Sequence, residues 1–245
     1  MRGRAAAAAL AASLAGACSI PEKHLIVDAQ VPPFSCLGQP LPAVASPQLT
    51  ITGTLVDRIN GNVLASTAIE ALFVGTPTPI FMTASDARGS FTHDQASGGT
   101  PHEVALHALP NGYLEIYYHP AVPVVQRLDA AIQALTASDL VTIGAVAQVA
   151  IDTAKVNLVI SVVDCNGTPL AGATVTTVPA GTTRYFVDRA PSSTAVMTDA
   201  VTGAALVANV PAGDTLISAT VSGMTLRSHA ITGVAGTVVQ TSIQP

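Results

Sequence analysis

The segment His102-Glu103-Val104-Ala105-Leu106-His107 carries the residue types that bind and activate zinc in metalloproteases. In those enzymes two histidines lie at positions i and i+4 on one helix face, and a glutamate acts as the general base. Here the histidines are five residues apart, and the segment between them favours a strand, on which they would face opposite sides. A metal-dependent hydrolase built on His102, Glu103 and His107 is therefore the last of three hypotheses, and we expect no catalytic residue, metal or other cofactor.

A second cluster, Arg184-Tyr185-Phe186, brings a guanidinium and two aromatic rings together in a chain that is only 4% aromatic. Tyrosine and arginine are enriched where proteins make their strongest binding contacts. The cluster follows Pro179-Ala180-Gly181, which is typical of a loop. We therefore predict that Arg184, Tyr185 and Phe186 form a ligand surface for a glycan or an envelope protein.

Other catalytic and nucleic-acid signatures are missing from the sequence. It contains no Gly-x-Ser-x-Gly nucleophile elbow, no phosphate-binding glycine loop and no EF-hand spacing of acidic residues. The formal net charge is −5, whereas a nucleic-acid-binding protein needs a basic face. The sequence therefore favours a binding or structural role and argues against nucleic acid as a partner.

An internal repeat defines the elements that must position these residues. Residues 56–65 and 163–171 each combine a strand end, an aspartate, an Asn-Gly turn and a second apolar stretch that we predict to be a strand. Asp57 and Asp164 close the strands, and such aspartates commonly accept hydrogen bonds from nearby backbone in turns. The first copy has one more residue at its turn, so we expect its loop to be wider.

The second copy matches a recognisable order of residues: Asp164, Gly167, Pro169-Leu170, then Ala171-Gly172-Ala173-Thr174-Val175. It resembles the carboxypeptidase regulatory-like, transthyretin-like family of β-sandwich modules, although the first copy has Val63-Leu64 in place of Pro-Leu. The resemblance implies a mainly β fold of two tandem transthyretin/Ig-like antiparallel β-sandwiches and an accessory role. Intradiol dioxygenases have a related sandwich, but this chain lacks the His-x-His pair of their iron site.

The N-terminus has the features of an export signal. A basic Met1-Arg2-Gly3-Arg4 precedes an Ala/Leu-rich stretch over residues 5–14, and Leu14-Ala15-Gly16-Ala17-Cys18 follows. The end of this stretch resembles a bacterial lipobox, in which Cys18 carries the lipid, although Ala15 stands where leucine is usual. Ala15-x-Ala17 equally satisfies an ordinary signal peptidase, which would cut at the same bond. The expected partner is the membrane, through a lipid on Cys18, and the expected location is the outer membrane, the periplasm or the cell surface.

The cysteine count connects the leader to the fold. The chain has three cysteines, Cys18, Cys36 and Cys165, and lipidation of the first leaves an even pair. Because exported proteins occupy compartments that favour disulfides, we predict a bond between Cys36 and Cys165. That bond would fix the proline-rich segment that follows the leader to the second domain.

The sequence divides into five parts. We predict a signal peptide over 1–17, a proline-rich tether over 18–48, a first β-sandwich over 49–122, a connector over 123–154 and a second β-sandwich over 155–245. Thr136 and Asp139 have the spacing of a capping box, which predicts a short helix over about 137–150 in the connector. The residues before this helix could instead form the last strand of the first domain. His119 and His229 stand alone in the sequence and are expected to be exposed.

These observations favour an exported, lipid-anchored, non-catalytic β-sandwich protein of the bacterial cell envelope with a structural or interaction role. A carbohydrate-binding module is the first alternative, and the metal-dependent hydrolase is the second.

Overall fold

The computed structural model describes residues 32–74 and 78–245, so the predictions for the leader and for Cys18 lie outside the described residues. The described chain is mainly β, with sixteen strands and one α-helix. Its strands form packed sheets, which confirms the predicted β-sandwich fold class. Within the described ranges, no helix has the length and apolarity needed to cross a bilayer.

The first half of the chain folds into seven strands. Leu49, Ile51 and Leu55 are buried, whereas the intervening Thr50 and Thr54 are not, which is the alternation of a strand with one face on a core. The strands are β1 (Gln48–Asp57), β2 (Ala68–Phe73), β3 (Pro79–Ala84), β4 (Ser90–Ala96), β5 (Val104–Leu109), β6 (Ile116–His119) and β7 (Arg127–Ala134).

The second half contains nine strands and follows the single helix, α1 (Ala137–Val146). Its strands are rich in valine and threonine, which favour the pleated conformation. They are β8 (Val156–Val162), β9 (Ala173–Val178), β10 (Thr182–Val187), β11 (Ala190–Ser192), β12 (Ala204–Val210), β13 (Gly213–Val221), β14 (Met224–Thr225), β15 (His229–Gly233) and β16 (Val238–Ile243).

The two halves share one continuous sheet. A three-stranded sheet has the order β4-β1-β7, and a four-stranded sheet has β13 paired with β9, β14 and β15. The third sheet has nine strands in the order β11-β10-β12-β8-β16-β6-β5-β2-β3. Strand β16 lies between β8 and β6 and runs parallel to both, so the C-terminal strand joins the sheets of the two halves.

The strand pairing departs from a purely antiparallel arrangement at three places. Strand β7 pairs with β1 in parallel, and β16 pairs in parallel with both β6 and β8. A parallel pair needs a crossover connection instead of a hairpin turn, and here each pair closes over a long stretch of chain. The remaining strand pairs are antiparallel, as expected.

Three clusters of buried apolar residues occupy the spaces between these layers. The first lies between the three-stranded sheet and the β6-β5-β2-β3 part of the large sheet. The second lies between β12, β8 and β16 and the four-stranded sheet. The third lies beneath α1 and includes Leu140, Ile143 and Leu206. Because neighbouring residues of a strand face opposite sides, the second and third clusters use opposite faces of the same strands.

The repeated turns differ in width as the sequence predicts. In the first copy the N–H of Asp57 donates to the carbonyl of Asn62, whereas in the second the N–H of Asp164 donates to the carbonyl of Thr168. The first loop is thus one residue wider. Each turn ends on a glycine with positive φ, and the apolar segment beyond it contributes a single bridge rather than a full strand.

The connector contains less helix and more strand than predicted. The capping box is present, since Thr136 Oγ1 accepts from Asp139 N–H and the Asp139 carboxylate accepts from Thr136 N–H. The helix ends at Val146, and Gln148 has a positive φ that stops it. Residues 127–134, assigned to the connector, form β7 and complete the three-stranded sheet of the first half. The alternative that the residues before the helix form the last strand of the first domain is therefore the one observed, and the predicted boundary at 122 falls before this strand.

Candidate functional site

A groove of about 700 Å³ lies between strand β7 of the three-stranded sheet and the nine-stranded sheet. Its floor comes from β8 and β16, and its walls come from β7, the turn after β1 and the β10–β11 hairpin. The polar residues that line it include Arg58, Gln133, Ser161, Arg189, Gln240 and Ser242. The groove brings several polar side chains together, and we treat it as the candidate functional site.

The strand registers explain why these side chains meet. In the parallel pair of β16 and β8, Gln240 lies beside Val159 and Ser242 lies beside Ser161, so all four face the same side. On β7, Gln133 alternates with residues buried in the first core and therefore faces away from that core. The groove therefore lies between the face of β7 that points away from the first core and the face of β8 and β16 that carries Gln240 and Ser242.

Arg58 is held in the groove wall by an aromatic ring and an amide. Its guanidinium carbon lies 5.1 Å from the centroid of the Phe186 ring, which is a cation–π distance. Its Nη1 donates a hydrogen bond to Oε1 of Gln133. Burial lowers the pKa of Arg58 from its ordinary value, because desolvation disfavours the charged form. The guanidinium nevertheless remains charged at neutral pH, in a partly desolvated setting.

Gln240 connects the groove floor to the groove wall. The N–H of Gln133 donates to Oε1 of Gln240 over 3.1 Å, and Nε2 of Gln240 donates to the carbonyl of Gln133. Both main-chain polar groups of Gln133 are thereby satisfied by one side chain. This arrangement fixes the distance between β7 and β16 at the centre of the groove.

The acidic group at the rim is already neutralised. Nε and Nη2 of Arg127 each donate to the carboxylate of Asp129 over 3.1 Å, and Thr52 donates to it as well. The hydrogen bonds from Arg127 and then Thr52 lower the pKa of Asp129. In the described part of the chain, Arg58 and Arg189 form no ion pair. The free charge in the groove is therefore positive.

The predicted ligand surface Arg184-Tyr185-Phe186 is wrong as an exposed surface. These residues lie inside strand β10, where Tyr185 is 6% and Phe186 2% exposed. The hydroxyl oxygen of Tyr185 accepts from Val175 N–H over 2.9 Å, and Nε of Arg184 donates to the carbonyl of Ala147. Neighbouring threonines and valine favour a strand here over the predicted loop. Only Phe186 reaches the groove, where it lies beneath Arg58.

The histidines of the zinc-like segment have separate partners. His107 lies between the carboxylates of Glu70 and Glu115, at 3.2 Å from each, and stacks on Tyr117 with ring centroids 4.3 Å apart. His102 instead stacks on Phe73 and contacts the Ser97 carbonyl. Within residues 32–74 and 78–245, no group of three or more His, Cys, Asp or Glu residues could hold a metal ion. The predicted hydrolase constellation of His102, Glu103 and His107 is not assembled.

The two turn aspartates act as the sequence predicts. Asp57 accepts N–H groups of its own turn and the hydroxyl of Tyr113 at 2.9 Å. The backbone hydrogen bond from Asn60 is the largest contribution, and the pKa of Asp57 is lowered. Burial opposes ionisation of Asp164, but hydrogen bonds from Thr168 and Asn166 outweigh it and lower the pKa. Both carboxylates are therefore structural groups of the turns.

The predicted disulfide between Cys36 and Cys165 is present, with the two Cα atoms 5.7 Å apart. Further contacts hold the same segment against the second half. The N–H of Cys165 donates to the carbonyl of Pro33 over 3.0 Å, and Nη2 of Arg227 donates to the carbonyl of Gln39 over 2.7 Å. The described end of the tether is therefore fixed to the folded body.

Of the two histidines expected to be exposed, His119 is buried and His229 is half-buried beside it. His119 is only 3% exposed, and its ring centroid lies 6.4 Å from that of His229. Both ring nitrogens of His119 and Nε2 of His229 lack a hydrogen-bond partner among the described residues. Burial, followed by the neighbouring His229, lowers the pKa of His119 to about 4. Neither residue belongs to a sequence pattern that would have indicated this contact.

Comparisons with known proteins give no family for the chain. No family model and no curated protein matches it. One similar solved structure is the Bacillus anthracis TIE protein, with 12% identity and a TM-score of 0.28; the match covers 80% of this chain and 34% of that one. A second is the Streptococcal ancillary pilin, with 11% identity and a TM-score of 0.28; the match covers 81% of this chain and 62% of the pilin. A third is the dioxygenase domain of a Streptomyces dioxygenase–carbohydrate-binding fusion, with 13% identity and a TM-score of 0.26; the match covers 40% of this chain and 84% of that domain. The chain thus spans about a third of the TIE protein, and at these scores the likenesses assign no function.

Proposed function

We propose that this chain is an exported, lipid-anchored protein of the bacterial cell envelope, built from two carboxypeptidase regulatory-like modules, with a structural or interaction role and no catalytic one. The observation that carries the proposal is the disulfide between Cys36 and Cys165. Disulfides form and persist in oxidising compartments outside the cytoplasm. The bond therefore supports export by the leader that precedes Cys18.

The same bond supports Cys18 as the attachment point of a lipid. Two of the three cysteines are joined to each other, so Cys18 is the one cysteine left over. An unpaired cysteine in an exported protein calls for a chemical explanation, and lipidation after leader cleavage supplies one. The disulfide would then hold the far end of the tether on the second half of the body.

The interaction role is supported by the groove. It presents Arg58 and Arg189, which have no carboxylate partner among the residues that the structure describes, together with hydroxyl and amide groups. Such a surface can contact an envelope protein or a glycan, and carbohydrate binding is the second candidate function.

Localisation in cells tests the anchor. We expect the wild-type chain in the membrane fraction and the Cys18→Ala variant in the soluble periplasmic fraction, because the variant keeps a signal-peptidase site but lacks the lipidated thiol. The matched control is the Cys36→Ser/Cys165→Ser double variant, which should remain in the membrane fraction. An N-terminal peptide of the wild type should carry the mass of a lipid. Membrane retention of Cys18→Ala would refute the anchor, and reduced Cys36 and Cys165 in cells would refute export.

A further inference from the structure

We propose that the groove between β7 and the nine-stranded sheet binds a carboxylate-bearing polysaccharide, and that Arg58 and Arg189 bind its carboxylate groups. This proposal deepens the interaction role proposed above and does not depend on the lipid anchor. It names an acidic glycan as the ligand class and the groove as the site.

The charge of the groove is opposite to the charge of the protein. The chain carries 15 acidic and 10 basic residues, yet this one concavity is lined by two arginines that form no ion pair within residues 32–74 and 78–245. The carboxylate of Asp129, the acidic group among the lining residues, is already bound by Arg127. An anionic ligand would therefore meet two guanidinium groups and no free carboxylate.

Arg58 is already positioned to bind an anion. The Phe186 ring supports its guanidinium from one side and Gln133 accepts a hydrogen bond from Nη1. Its other N–H donors have no acceptor in the described part of the chain, although the side chain is partly withdrawn from water. A desolvated charge without a counter-charge is unfavourable. A ligand carboxylate would relieve that cost and would accept two parallel N–H bonds from the planar guanidinium.

Arg189 is presented by a rigid turn. Val187 pairs with Ala190, and the two residues between them, Asp188 and Arg189, have φ values of +48° and +70°. Positive φ at both central positions defines the tight two-residue hairpin turn that matches strand twist. The Asp188 N–H also donates to the carboxylate of Asp199 over 2.7 Å, which fixes the turn to the body. The turn thus places the exposed Arg189 at the groove, where its side chain forms no ion pair with any described residue.

The main-chain groups at the edge of strand β7 are already hydrogen-bonded at Gln133, and this favours a glycan over a peptide as the ligand. Extended peptides commonly bind by adding a strand to an open sheet edge. At the groove, the N–H and carbonyl of Gln133 are occupied by the Gln240 side chain, which blocks strand addition at this position. What remains is side-chain chemistry, including the hydroxyls of Ser161 and Ser242. Hydroxyls donate and accept hydrogen bonds, as sugar hydroxyls do. A uronic acid combines such hydroxyls with a carboxylate.

Calorimetric titration of the full chain, made soluble by Cys18→Ala, tests the proposal. The probes are a galacturonic acid trisaccharide, an uncharged galactose trisaccharide and a glutamate tripeptide. We expect the acidic trisaccharide to bind, to bind more weakly as salt is raised, and to bind more tightly than the other two. Arg58→Gln and Arg189→Asn should each weaken binding about tenfold or more, the loss expected for a charge-assisted hydrogen bond.

The variants are chosen so that a folding defect cannot imitate lost binding. Asparagine tolerates the positive φ at position 189, and Arg189 is exposed, so Arg189→Asn should keep the wild-type fold by circular dichroism. The matched control is Arg88→Gln, which removes the same charge from an exposed turn outside the groove and should bind normally.

Four results would overturn the proposal: no binding of the acidic trisaccharide, equal binding of the neutral one, tighter binding of the tripeptide, or the same loss in Arg88→Gln. The anchor is judged separately by localisation, so failure here leaves that result unaffected.

Discussion

The side-chain amide of Gln240 takes the place of a neighbouring strand for Gln133. Gln133 lies on β7, an edge strand of the three-stranded sheet, where main-chain polar groups face away from β1. Gln240, on β16, accepts from the N–H of Gln133 over 3.1 Å and donates to its carbonyl. A strand edge that is covered in this way is protected from pairing with another chain. One side chain therefore connects the sheet of the first half to the strand that joins both halves.

Replacing Gln240 with leucine should destabilise the protein. The change keeps the approximate size of a residue that is only 7% exposed but leaves both main-chain groups of Gln133 without their partner. We expect the free energy of unfolding in urea to fall by about 1–3 kcal/mol. Gln48→Leu, at the exposed start of β1, is the control and should change it by less than about 0.5 kcal/mol. Equal unfolding free energies of the wild type and Gln240→Leu would show that the two hydrogen bonds between Gln240 and Gln133 make no net contribution to stability.

Removing the disulfide should loosen the N-terminal segment and lower stability. The bond joins residues 129 apart in sequence, so it restricts a long loop of the unfolded chain. For the Cys36→Ser/Cys165→Ser variant we expect the free energy of unfolding to fall by about 2–5 kcal/mol. Limited proteolysis should also cut the variant between residues 36 and 45, where the segment loses its attachment.

Reducing agent provides the matched comparison. Reduced wild-type protein should behave like the double variant, whereas the double variant should not respond to reduction. If the oxidised wild type and the double variant had equal stability and equal protease resistance, the contacts of Pro33 and Gln39 alone would hold the segment.

The repeat allowed much of the fold to be predicted because it is local. The aspartate, glycine and apolar residues of each turn lie within ten residues of one another, and their chemistry requires the conformation that is observed. The parallel pairing of β16 with β6 could not be predicted in this way. It joins Val238 to Ile116 across about half of the chain, and no periodicity within either strand encodes its neighbour.

The groove was missed for the same reason. Arg58 belongs to the turn after β1 and Arg189 to a hairpin of the second half, so only tertiary structure brings them to one concavity. Sequence reasoning gave weight to Tyr185 and Phe186 because the chain has few aromatics. Scarcity of a residue type does not indicate exposure, and both rings lie in a strand interior.

The two turn aspartates should differ in their contribution to stability. Asp57 and Asp164 each accept N–H groups of their own turn, but Asp57 also accepts the Tyr113 hydroxyl. We expect Asp57→Ala to lower the free energy of unfolding more than Asp164→Ala does, with each loss in the range of about 1–3 kcal/mol. Tyr113→Phe, which removes only the hydroxyl, should account for the difference. Equal losses in the two aspartate variants would exclude a contribution from the Tyr113 bond.

These carboxylates should also contribute to stability against acid. Their pKa values are lowered in the folded protein, so their stabilising effect is complete above the unfolded value of about 3.9 and is lost as the pH falls below it. Acid titration followed by circular dichroism should show Asp164→Ala losing less stability than the wild type between pH 4 and pH 2. A parallel loss in both proteins would contradict the pKa shift.

A separate acid response should come from His119 at higher pH. Burial and then His229 lower its pKa from about 6.5 in an unfolded chain to about 4 in the folded one. The folded protein therefore takes up this proton less readily, so the stability from neutral His119 is complete above pH 6.5 and declines as the pH falls towards 4. The titratable and charged residues that line the same cavity are His229, Arg227 and Glu103, and among them His229 disfavours a positive charge on His119.

Replacing His119 with leucine should remove most of this pH dependence. Between pH 7 and pH 5 we expect the wild type to lose on the order of 2 kcal/mol of unfolding free energy through His119, and His119→Leu to lose much less. The control is His93→Leu, a half-buried histidine on β4 stacked on Phe81, which keeps His119 and should retain the wild-type slope. Urea unfolding at both pH values measures the slopes. Equal slopes for the wild type and His119→Leu would mean that His119 binds its proton with similar affinity in the folded and unfolded chains.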